Sequence, residues 1–138
     1  MPAIFGQENY DPYVIIKKGR KTMYLDFSRL RDRNILRCET GFGHKLNSWS
    51  VLEWGGATAG ECGEANNVAK KMLRFRDNIK GNDPTKTRDD YKKMLASEIA
   101  GMVIYADLWC ASEGIDLAQA IIEEFNKKSD EIGANIKL

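Results

Sequence analysis

The chain has 138 residues, 43% of them hydrophobic and 30% charged, with a formal net charge of +1. That length allows one domain with its own core and leaves little for a second. The near-neutral balance excludes the broad footprint of a general nucleic-acid binder, no apolar run approaches the roughly 20 residues of a membrane span, and residues 1–10 lack the charged and apolar regions of a signal peptide. The cysteines, Cys38, Cys62 and Cys110, are odd in number and far apart. They match neither a disulfide framework nor a zinc spacing, and the reducing cytoplasm is their natural compartment.

Residues 1–12 carry Pro2, Gly6 and Pro12 without periodicity and read as a loose arm. Two β-prone runs, 13–16 and 22–25, flank a basic turn of Lys17, Lys18, Gly19, Arg20 and Lys21, the pattern of a hairpin whose default role is a solvated tip. Arm and hairpin occupy 1–27, and a helical domain is expected over 28–138. Its first helix spans Ser28 to about Glu39, with Leu30, Ile35, Leu36 and Cys38 available for burial. A glycine-bearing loop follows to Ser48. Ser50 and Glu53 form a capping-box pattern that opens a long helix to about Arg76, crowded with glycine and alanine in its first half. Gly81-Asn82-Asp83-Pro84 breaks the chain. Thr87 and Asp90 start a third helix, about 88–113, with Met94, Leu95, Ile99, Met102, Val103 and Leu108 as core candidates and Gly114 as its stop. Asp116 and Gln119 open a last helix that Gly133 closes. The fold class is all-α, a bundle of three to four helices with a small N-terminal β-hairpin.

The chemistry concentrates at Glu61 and Glu64, three residues apart and therefore on one helix face. With Glu61 at zero on a helical wheel, Glu64 falls near 300°, Asn67 near 240° and Lys71 near 280°, so they share a stripe. Glu98 begins a matching stripe on the next helix with Gly101 and Tyr105. If the two helices pack antiparallel, the three carboxylates meet. Such a set suits Mg²⁺ or Mn²⁺, hard cations that bridge to phosphates, and Lys70, Lys71 and Arg74 would hold outer phosphate charge. Most glutamate pairs at this spacing simply form a solvated face. Here the small apolar neighbours of Glu61 and Glu64, and the apolar run from Met94 to Leu108 around Glu98, favour pairing or a metal.

Trp49-Ser50, Trp54, the run from Ala59 to Ala65, Asn67 and Lys70-Lys71, followed by Glu98-Ile99-Ala100 and 103–108, resemble the MazG-like all-α nucleoside triphosphate pyrophosphohydrolases, above all their small bacteriophage members. The likeness covers about 31–133. It implies hydrolysis of a (deoxy)nucleoside triphosphate to the monophosphate and pyrophosphate, Mg²⁺ or Mn²⁺ as cofactor, and assembly as a homodimer or pair of dimers. A dGTP-preferring enzyme serving nucleotide-pool control or modified-base synthesis is one concrete version. Carried over, Glu61, Glu64 and Glu98 are the metal-binding and catalytic carboxylates, with Glu61 or Glu64 orienting a metal-activated water. The family pattern has a fourth ligand, an aspartate, where this chain has Gly101. Asp107 cannot replace it, being about 180° around the helix from Glu98. Water, Asp77, Asp83 or a residue of another subunit are the alternatives. A non-catalytic nucleotide-binding module with an incomplete metal site is the rival reading.

Nucleotide contacts are expected from Asn34, Arg37, His44, Trp49, Asn67 and Asn126. Each has a plainer role. Asn34, Arg37 and Asn126 suit polar helix faces, and the lone histidine His44 suits a structural or exposed loop position. Trp49 and Trp54 serve as packing near a helix start. Tyr105 and Cys62 read as packing residues.

Overall fold

The computed structural model describes residues 14–138, so the arm expected over residues 1–12 lies outside the described residues. Val14–Lys17 (β1) and Arg20–Met23 (β2) run antiparallel about Gly19, whose φ of +71° sets the turn. The rest is helical: α1 (Phe27–Leu36), α2 (Val51–Arg76), α3 (Arg88–Ser112) and α4 (Leu117–Glu131).

Each helix starts where a side chain can accept from an otherwise unpaired backbone N–H. Asp26 Oδ1 accepts from Arg29 N at 2.7 Å for α1. Ser50 and Glu53 close a reciprocal capping box on α2, and Thr87 and Asp90 do the same on α3. Asp116 accepts from Gln119 N at 3.0 Å for α4. Beyond α3 and α4 the chain turns through Gly114 and Gly133, both at positive φ. The helix expected to run to Glu39 ends as an α-helix at Leu36 and continues as a π-helical turn over Arg37–Gly41. That wider turn carries Cys38 inward, where its thiol donates to the His44 carbonyl at 3.0 Å.

The body of the fold is the antiparallel pair α2–α3, with α1 against a second face of α3. Trp54, Cys38 and Leu108 form the core at one end, flanked by Leu46, Trp49 and Tyr105. The Trp54 indole N–H donates to the Leu46 carbonyl at 3.1 Å, which satisfies its one polar group. At the other end Tyr91 is buried against Phe75, with ring centroids 6.3 Å apart. Several residues expected in the core are exposed instead: Leu36, Ile99 and Val103. The reason is angular. The α2-facing stripe of α3 runs through Tyr91, Glu98, Gly101, Tyr105 and Leu108, and Ile99 and Val103 fall about 100–140° away from Glu98.

A buried ion pair fastens α1 to α3. Asp107, only 1% exposed, accepts from Arg31 Nε at 2.9 Å and from Asn34 Nδ2 at 3.1 Å. Asn34 Nδ2 also donates to the Ile104 carbonyl, and Arg31 reaches on to the Ile115 carbonyl beyond α3. By length and composition alone α3 would suffice to cross a bilayer. It carries Glu98 and Asp107 on the faces it turns to α2 and α1, where each meets polar partners.

Candidate functional site

The antiparallel packing of α2 on α3 brings Glu61, Glu64 and Glu98 together. One oxygen from each lies within 4.8 Å of the others, close enough for a single cation to touch all three. Glu61 and Glu98 are half-buried and Glu64 is exposed.

Gly101 explains how Glu61 reaches this position. A Cβ at Gly101 would stand 2.9 Å from Glu61 Cδ and closer still to Oε2. The Glu61 carboxylate therefore occupies the place a side chain at 101 would need. Asp77 and Asp83 do not reach it. Asp77 pairs with Arg76 at 2.7 Å, and Asp83 accepts from Thr85, both beyond the C-terminal end of α2.

The Glu98 carboxyl is held above the ordinary carboxylate range. Loss of water around it is the first cause, then a hydrogen bond donated by its protonated form to Glu64, then the negative charges of Glu64 and Glu61. A raised folded value means the folded state holds this proton more tightly than the unfolded chain. The contribution to stability is full below the ordinary value of 4.5 and is lost as pH rises through the raised value. In chelator, Glu98→Gln is expected to flatten that fall, so that its melting temperature gains on the unsubstituted protein as pH rises from about 4.5 towards neutrality. Parallel melting curves for the two proteins across that range would contradict it.

Next to the carboxylates opens a cavity of about 370 Å³ with a predominantly apolar wall. Trp49, Trp54, His44 and Tyr105 supply rings, Arg37 a cation, and Gly101 is common to the cavity wall and the acidic cluster. His44 stands edge-on to Trp49, with centroids 4.6 Å apart, and to Trp54 at 5.6 Å. Its Nε2 is shut off from solvent and has no hydrogen-bond partner among the described residues.

Four of the expected nucleotide contacts, Asn34, Arg37, His44 and Trp49, thus line one cavity. Asn34 is 3% exposed and its amide nitrogen is committed to α3, so its first task is structural. Asn67 is exposed on α2, outside the cavity lining. Asn126 lies on α4 and grips the backbone of Leu138: its Oδ1 accepts from Leu138 N at 2.9 Å, and its Nδ2 donates to the Leu138 carbonyl at 3.4 Å. Lys70 and Lys71 follow Glu64 along α2, Lys71 about 10 Å further on. Arg74 lies further still, with its guanidinium 3.8 Å from where a Cβ of Gly81 would be, in the α2–α3 connection.

The pairing of Arg31 with Asp107 escapes sequence reading. The two are 76 residues apart and no local pattern links them. Phe42, the aromatic residue of the Phe42-Gly43-His44 stretch that belongs to the resemblance, stands at the cavity rim. Comparison with protein-family models, curated proteins and solved structures returns no match to this chain.

Proposed function

We propose that the chain is a metal-dependent nucleoside triphosphate pyrophosphohydrolase, of the MazG-like kind its sequence resembles. One observation carries the reading: three carboxylates from two helices converge beside a ring-lined cavity, with Gly101 shared by both. A base fits the cavity, and the phosphates extend from it across the acidic cluster. Three oxygen donors in this arrangement fit Mg²⁺ or Mn²⁺. Held by Glu61, Glu64 and Glu98, such a cation would supply charge neutralisation at the phosphates and a water of lowered pKa. Glu64, the most exposed of the three, would be the carboxylate to orient an attacking water or accept its proton. Lys71, two turns further along α2 on the stripe of Glu64, would supply positive charge to the leaving pyrophosphate.

A second copy of the chain is the partner this reading favours. The uncovered side of α3 shows Ile99 and Val103, and α4, which packs sparsely on the other described elements, shows Ile121, Ile122 and Phe125. The three cysteines are free, in keeping with action in the cytoplasm.

The test is to incubate the protein with each of the eight common (d)NTPs, dGTP among them, with Mg²⁺ or Mn²⁺ and to assay pyrophosphate. Release from at least one nucleotide is expected, falling at least about 100-fold in Glu64→Gln and Glu98→Gln. Tight nucleotide binding without turnover under either metal would replace the enzyme with a non-catalytic binding module. Neither binding nor turnover would leave a structural bundle.

A further inference from the structure

We propose that Phe42 is the residue that stacks on the base of the bound nucleotide, acting as a prepositioned outer wall of the cavity. The inference rests on the pyrophosphohydrolase reading and adds a binding residue to it. Phe42 lines the cavity, yet it is 76% exposed, more than any other aromatic side chain among the described residues. A phenyl ring left in water at the rim of an apolar cavity has a large apolar area to bury when a flat partner arrives.

Its backbone is fixed while its ring is not covered. The Phe42 N–H donates to the Arg37 carbonyl at 3.0 Å, closing the π-helical turn. Turns of that kind concentrate at functional sites. Directly after it Gly43 takes a φ of +65°, a conformation that reverses the chain toward His44 and Trp49 and that a side chain would strain. The Arg37 guanidinium lies 5.9 Å from the ring centroid, a cation–π contact that holds the ring at the rim. Trp49 and Tyr105 line the same cavity. A planar heterocycle entering it meets aromatic surface there and gives the Phe42 ring a flat partner at the rim. Stacking of this kind tolerates any base, so Phe42 provides affinity for the base as such and leaves the choice among bases to the polar groups.

The experiment compares two ligands by calorimetry in the presence of Mn²⁺: an α,β-methylene nucleoside triphosphate, which cannot be hydrolysed at that bond, and inorganic tripolyphosphate, which has no base. Phe42→Ala is expected to weaken the nucleotide analogue about tenfold or more and to leave tripolyphosphate unchanged. Phe42→Trp should restore the analogue. With a hydrolysable substrate, Phe42→Ala should raise KM and leave kcat in place. Since the ring is exposed, the melting temperature should not move, and a circular dichroism melt checks this. Equal analogue affinity in Phe42→Ala and the unsubstituted protein would overturn the inference and spare the enzyme reading. Equal weakening of both ligands would overturn it too, because the loop would then act on the phosphates. An unsubstituted protein that binds neither ligand would overturn the enzyme reading and this inference with it.

Discussion

Gly101→Ala is expected to weaken Mn²⁺ binding about 10–100-fold, the range seen when a group that orients a metal ligand is lost, while the fold is kept. The added methyl competes for space with the Glu61 carboxylate, whose Cδ would be 2.9 Å away. The atoms in conflict are the far end of a flexible side chain, so relief is easy: Glu61 rotates off α3. Rotation carries its oxygens away from Glu64 and Glu98, and the three-oxygen cluster opens. Stability follows a different rule. Alanine gains about 1 kcal/mol over glycine inside a helix, so the melting temperature should hold or rise. Gly101→Asp sharpens the point. It supplies the aspartate that the MazG-like enzymes carry and this chain lacks, but at the place Glu61 already fills, so it should impair the site like alanine. Calorimetric Mn²⁺ titration with thermal melts decides the matter. An alanine variant with unaltered Mn²⁺ affinity would show that Glu61 has no need of the bare backbone, and improved turnover in Gly101→Asp would show the fourth carboxylate to be missed.

Asp107→Ala is expected to destabilise the protein by about 3 kcal/mol. Its carboxylate is buried and accepts from both Arg31 and Asn34, so truncation leaves two donors facing an apolar gap. Arg31 keeps some access to water, which places the loss at the low end for a broken buried pair. Asp107→Asn should cost less, because one oxygen still accepts. The damage should also reach the cavity, since α1 leads straight into the π-helical turn that carries Arg37, Cys38 and Phe42. A urea titration reads the stability. A midpoint shift below that of Asp107→Asn would contradict the assigned role, as would nucleotide affinity that survives in Asp107→Ala.

What the sequence reveals follows the range of the interactions. The capping boxes at Ser50 and Thr87 span three residues each, so they are readable to the residue. Helix-stopping glycines at 114 and 133 are equally local. The carboxylate cluster needs only two wheels and an antiparallel pairing. Other features depend on contacts no local pattern encodes. Glu61 reaches across from α2 into the space of residue 101, and Asp107 meets Arg31 across 76 positions. Periodicity also overfills the core. It marks Ile99 and Val103 as apolar without telling which side of α3 meets a neighbour. Asn126 is polar on a helix, yet its partner is the chain's own Leu138.

Gly55 and Gly101 together give the long helix pair a mechanical property. On α2, Gly55 seats the Trp109 ring of α3, with Cζ2 3.0 Å from where a Cβ would stand. On α3, Gly101 seats Glu61 of α2 at nearly the same antiparallel offset. Each helix is thus both notch and tenon: sliding one along the other would drive the rigid Trp109 ring into the α2 backbone, and would turn the flexible Glu61 carboxylate out of its seat. The second joint belongs to the acidic cluster itself, the first lies towards the N-terminus of α2, and the connection over 77–87 lies beyond both at the far end. That connection can lengthen or shorten without disturbing the spacing of the glutamates, whereas one residue inserted between the two joints on either helix would unseat one of them.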